Sequence, residues 1–152
     1  VGPSPGAGDW WGGIDAAGVA ERQCRLDDEF IFTDGGVFEI KDNGEVWAEG
    51  YMGGSNTCVD PATLAAPFSS LASGTHTFSG DASTVTVTGT GAYLGWSLAY
   101  NGGEIAATDM TLPSEITYTV LEYIASPCKE VLAVYVETNA GTFWTMTFES
   151  TN

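Results

Sequence analysis

The sequence predicts an all-β domain of about eight antiparallel strands, connected as a meander that closes into a barrel or folds as a two-sheet sandwich. One short helical segment is expected near 60–72. Three observations carry this prediction. Apolar residues recur at every second position along most of the chain, as in Ile116, Tyr118 and Val120 or Leu132, Val134 and Val136. The β-rich runs are short and are separated by tight-turn signals such as "DGG", "DNG", "GD", "SPC" and "NAG". One stretch, "DPATLAAPFSSLA", breaks the period, with Asp60 as a cap and Pro61 at the first helical position.

In chain order, "EFIFTD", "VFEIKD" and "EVWAEGY" are the first three strands, and the turns between them predict a meander. Irregular chain follows from Met52 to Ser73. "THTFSG", "TVTVTGTGAYLGW", "ITYTVLEYIA", "VLAVYVETN" and "TFWTMTFES" supply the remaining strands. At 152 residues the chain fits one domain, 1–152, and shows neither an internal repeat nor a linker.

Charge narrows the partners. Twenty acidic residues against 4 basic give a formal net charge of −16, which repels phosphate backbones and argues against nucleic acid. No run approaches the roughly 18 apolar residues of a membrane-spanning helix, so no membrane insertion is expected. The start, "VGPSPGAGDWW", lacks the basic and apolar regions of a signal peptide, which reads as a mature fragment or an excised domain. Cys24, Cys58 and Cys128 match no zinc or C-x-x-C spacing and allow three single pairings. Cys24 with Cys58 is favoured, because both sit in turn-rich chain flanking the same strands; this implies an oxidising compartment and leaves Cys128 free.

The glycine-rich stretch "GTGAYLG" lacks G-x-G-x-x-G spacing and is followed by a strand, so it reads as a bent strand rather than a phosphate loop. Around it, Trp47, Tyr93, Trp96 and Tyr100, with Asn101 and Glu104, form a candidate glycan-binding set: rings to stack on sugar faces, an amide and a carboxylate to take hydroxyls. Trp10, Trp11, Tyr51 and Asp109 add to the aromatic and polar supply. Catalysis has little support. His76 is the only histidine, no serine occupies a G-x-S-x-G elbow, and nothing selects a carboxylate pair, so no enzyme is expected.

Asp27, Asp28 and Glu29 could offer oxygen ligands to calcium, but without EF-hand spacing they read as acids at a strand start; no cofactor is expected. Asp42, Asn43 and Gly44 read as a hairpin turn. Thr84, Thr86, Thr88 and Thr90 read as a solvent-facing row, shorter than the arrays some ice-binding proteins use.

Taken together, "VGPSPGAGDWW", "RQCRLDDEFIFTDGGVFEI", "EVWAEGY", "GTGAYLGW", "NGGE" and "LPSEITYTVL" resemble a lipocalin-like β-rich domain of large secreted or surface proteins from marine polysaccharide-degrading bacteria, often beside glycoside hydrolase modules. That resemblance implies an extracellular or cell-surface setting and a polysaccharide or surface glycan as partner. It carries no residue roles. Such domains begin with a further strand upstream of "VGP", and its lack would leave a sheet edge open to self-association by strand addition. Three functions follow as expectations: a non-catalytic carbohydrate-binding module, a structural or adhesive domain that self-assembles, and a lipocalin-like carrier of a small apolar ligand.

Overall fold

The computed structural model describes residues 1–150. Seven strands form one antiparallel sheet: β1 (Glu29–Thr33), β2 (Val37–Lys41), β5 (Gly74–Gly80), β6 (Thr84–Thr88), β9 (Glu115–Ser126), β10 (Lys129–Asn139) and β11 (Thr142–Ser150). They lie side by side in chain order, so the sheet is a meander, curled into a half-barrel. Two long connections leave it. Residues 42–73 carry a two-stranded ribbon of β3 (Val46–Ala48) and β4 (Thr57–Val59), and residues 89–114 carry a second of β7 (Ala99–Tyr100) and β8 (Gly103–Glu104).

Two details depart from the expected path. The third run does not extend the meander, because β5 takes the free edge of β2 through pairs such as Phe38 with His76, and β3 pairs with β4 instead. The glycine-rich run is strand only to Thr88. Gly89 and Gly91 then adopt positive φ of 137° and 86°, which turns the chain out of the sheet and leaves Thr90 beyond the strand.

The helical segment near 60–72 resolves into two 3₁₀ turns, Pro61–Thr63 and Phe68–Ser70, the first capped by the Asp60 side chain on the Ala62 N–H. Helix α1 (Ala16–Glu21), six residues long and capped by Asp15, has no counterpart in the sequence prediction, and neither have the short strands β4, β7 and β8. Cys24 and Cys58 form a disulfide with their Cα atoms 5.9 Å apart, tying the segment after α1 to β4. Cys128 is free and exposed in the β9–β10 turn.

Register assigns the two faces. Phe30 and Phe32 of β1 stand opposite Ile40 and Phe38 of β2, and the same concave face continues through His76, Phe78, Val85, Val87, Ile116 and Tyr118 to Val134, Met146 and Phe148. The convex face is rich in threonine, with Thr86 and Thr117 sharing a hydroxyl hydrogen bond of 2.8 Å.

All long connections sit at one end of the half-barrel. Strands β2 and β6 finish there and β5 and β9 begin there, whereas the links 34–36, 81–83 and 127–128 close hairpins at the opposite end. The long connections fold back over the concave face and fill it with Phe68, Leu71, Leu94, Leu98 and Ile105, all essentially buried. Asp42 holds one of them down. Its buried carboxylate accepts from the Ser73 N–H and hydroxyl and from the Gly44 N–H. Burial pushes that carboxyl up, but these hydrogen bonds outweigh it and pull the group below the usual carboxylate value.

Candidate functional site

At the hairpin end the concave face stays open. The tight links there are too short to reach inward, and a groove of about 1110 Å³ remains between the two edge strands. Its floor is the continuation of the apolar face: Phe30, Phe78, Val85, Val120, Leu132, Met146 and Phe148, each only partly buried. Phe32, 37% exposed, and Tyr123, 61% exposed, stand at its mouth. Acidic side chains border it: Asp81, Glu130 and Glu149 at the hairpin end, and Glu29 at the start of β1. All four are engaged: Glu149 with Lys129 at 2.7 Å, Glu130 with the Tyr123 hydroxyl at 3.2 Å, Glu29 with Lys41 at 3.9 Å, and Asp81 with the Ser83 and Thr84 N–H groups.

β9 shapes one wall. Between the pairs Ala133 with Glu122 and Val134 with Val120 the register shifts, leaving Leu121 without a partner across the ladder. Beyond that bulge β9 runs on as exposed strand, which carries Tyr123 to the mouth. Gly95 forms part of the inner wall at φ 71°, and a Cβ there would meet Met146 Cγ at 2.7 Å and Phe148 Cζ at 3.1 Å. Only glycine lets the 89–114 connection come this close to β11.

Behind the inner wall lies a tryptophan and arginine cluster. Arg25 places its guanidinium 4.0 Å from the centre of the Trp96 ring, Trp96 stacks on Trp144 at 5.4 Å, and Trp11 packs on Trp144 at 6.1 Å. Arg22 covers Trp47 at 4.6 Å. Burial and the like charge of Arg22 lower the Arg25 pKa to about 10, against the opposing pull of Asp28, Glu49 and Tyr93, so Arg25 remains a cation at neutral pH. Half-buried Asp28 is pushed up to about 7 by burial and by the neighbouring Asp27 and Asp42, with Arg25 pulling the other way.

The structure brings the sequence-selected residues together, mostly as core. Trp47, Tyr93 and Trp96 are 6%, 2% and 7% exposed and present no ring face for a sugar to stack on. They are buried because β3 and the 89–114 connection fold onto the concave face. Tyr100 is half-buried against the same core. Asn101 is a clamp: its amide donates to the Thr117 carbonyl and accepts from the Thr117 N–H, both at 2.8 Å, fixing the 89–114 connection to β9. Glu104 accepts from the Trp144 indole at 2.7 Å and from the Thr138 hydroxyl at 3.3 Å. The exposed rings are instead Trp10, Trp11, Phe32, Tyr51 and Tyr123.

Asp27, Asp28 and Glu29 do not converge, and among the described residues no group of three or more His, Cys, Asp or Glu side chains is arranged to hold a metal ion. His76 packs against Phe38 at 6.2 Å and lies over Gly89, and burial lowers its pKa. The groove residues escaped sequence reasoning, although a signal was present: both long irregular stretches connect strands at the same end, so the other end of the apolar face has nothing to cover it.

Fold and site together define an all-β half-barrel, plugged at one end and grooved at the other. No protein family, curated protein or solved structure matches the chain.

Proposed function

We propose that this domain is a non-catalytic binding module whose groove holds the apolar body of a small ligand, in the manner of a carrier. The observation that supports the reading is the groove itself. It has the volume of a drug-sized ligand site, about 1110 Å³, on an otherwise continuous apolar sheet face. An apolar guest would remove the partly exposed side chains of Phe78, Val85, Val120 and Leu132 from water, at about 25 cal/mol per Å² of apolar surface covered. The disulfide supports an oxidising, extracytoplasmic setting.

Titration calorimetry with a series of alkyl-chain ligands tests the reading. Affinity should rise with chain length until the groove is full, and Val120→Phe, which fills the floor, should weaken binding at least about tenfold, roughly 1.4 kcal/mol. A wild-type protein that takes up no chain of any length would reject it. Tyr123→Ala, at an exposed position, provides a second variant that leaves the core intact.

A second reading, binding of polysaccharide or surface glycan, has the support of two adjacent exposed indoles, Trp10 and Trp11, 58% and 36% exposed. Retardation on immobilised polysaccharides that disappears with Trp10→Ala would favour it; unchanged retardation would remove it.

A further inference from the structure

The groove's inner wall is polar, and its polar groups have unused bonding capacity. Arg25, Asp28 and Gly95 line both the groove and a small cavity of about 20 Å³ behind it, which Trp47 and Trp96 also line. The indole N–H groups of Trp47 and Trp96 and the Asp28 Oδ1 atom are buried without a hydrogen-bond partner. Both indoles are more than nine-tenths buried. Arg25 lies over Trp96 at 4.0 Å and, among the described residues, has no carboxylate within ion-pair distance. Buried polar groups are ordinarily paired, so three such groups beside the Arg25 cation, at the end of an apolar groove, point to a ligand group that pairs with them.

We propose that Arg25 and Asp28 are the head-group end of the groove, and that the groove takes a long-chain carboxylic acid with its carboxylate at this wall and its alkyl chain over Phe78, Val85 and Val120. This inference rests on the groove reading above. The chemistry selects the head. A guanidinium presents paired N–H donors that match the two oxygens of a carboxylate, and the centre of the Trp96 ring lies 4.0 Å from the Arg25 guanidinium. A hydroxyl head would leave half of that fork unused, and a cationic head would face Arg25 and Arg22 together.

Asp28 decides the pH dependence. The charged groups acting on it are Asp27 and Asp42, which favour its protonated form, and Arg25, which opposes it. Protonated, Asp28 donates a hydrogen bond to the incoming carboxylate; ionised, it repels it. The small cavity has room for about one water or one ligand oxygen, so the indole N–H groups are reached from the head group rather than by the chain. The acids Asp81, Glu130 and Glu149 lie in water at the mouth, where salt screens charges beyond about 8 Å, and Glu29, at the other end of β1, is paired with Lys41 at 3.9 Å.

The test compares dodecanoate with dodecan-1-ol on the intact protein, by calorimetry and by Trp fluorescence, at pH 6 and pH 8.5. Dodecanoate should bind at least about tenfold tighter than the alcohol at pH 6, and weaken as pH rises through the Asp28 transition near 7. Arg25→Met should weaken dodecanoate about 10- to 100-fold while leaving the alcohol within about threefold. Asp28→Asn should abolish the weakening between the two pH values. Equal affinity of acid and alcohol in the wild type, or dodecanoate binding unaffected by Arg25→Met, overturns the head-group assignment while the groove reading stands. Binding of neither ligand rejects both. Should Arg25→Met unfold, the wild-type acid-to-alcohol ratio and the Asp28→Asn pH profile still decide the question.

Discussion

The two ends of the concave face are made of the same strands and the same kinds of side chain, yet one is core and the other is groove. At the connection end, Ile40, Val87 and Ile116 belong to one buried cluster with Phe68, Leu94 and Ile105. At the hairpin end, Phe32, Val85 and Val120 have equally apolar side chains, yet they line the groove and stay partly exposed. The difference lies in the links. Residues 42–73 and 89–114 are long enough to fold back over the sheet, whereas 34–36, 81–83 and 127–128 only reverse direction. An apolar face is a necessary condition for a core; what lies over it decides whether it becomes one.

Changes that uncover the filled end should have the largest effects. Phe68→Ala, at a fully buried position, should cost about 3–5 kcal/mol in denaturant unfolding. A value near that of an exposed site would mean that the 42–73 connection does not cap the core. Removing the disulfide with Cys58→Ser, which opens a sequence separation of 34 residues, should cost about 2–4 kcal/mol. Asp42→Ala releases Ser73 and Gly44, and should cost about 1–3 kcal/mol at neutral pH. Because the folded Asp42 pKa lies below the usual value, its contribution is complete above about pH 4 and is lost as pH falls through the folded value. The Ala variant should therefore differ least from wild type in acid.

The inner wall of the groove should respond in the opposite sense. Asp28 holds its proton up to about pH 7 when folded and only to about pH 4 when unfolded. The folded state thus binds the extra proton between those values, and stability falls as pH rises through that window. Asp28→Asn should remove the fall and leave the protein more stable than wild type at pH 8, with little difference at pH 4. Thermal unfolding across pH measures both. The smallest stability effect belongs to the open end: Tyr123→Ala should stay within about 0.5 kcal/mol, while alkyl-chain binding weakens. A large loss of stability there would mean that the mouth is part of the core and would erase the distinction between the two ends.

Local chemistry, read from the sequence alone, determined the strands of the main sheet and favoured the Cys24–Cys58 pairing, although it placed the third run where β5 stands. Period-two alternation is a property of neighbouring residues, and so is the tendency of Asp-Gly-Gly or Asn-Ala-Gly to turn. Asp60 and Pro61 likewise sit where their capping preferences predict. Tertiary structure alone decided which aromatics face water. Trp47 and Trp96 are flanked by polar and glycine residues that resemble a binding loop, yet both are buried because distant chain folds over them, while Tyr123, inside a regular strand, is 61% exposed because nothing reaches it. Burial depends on contacts between residues far apart in the chain, and no local pattern encodes those contacts. The same holds for Arg25 and Asp28, which become the polar wall of a groove only when 89–114 brings Gly95 and Trp96 against them.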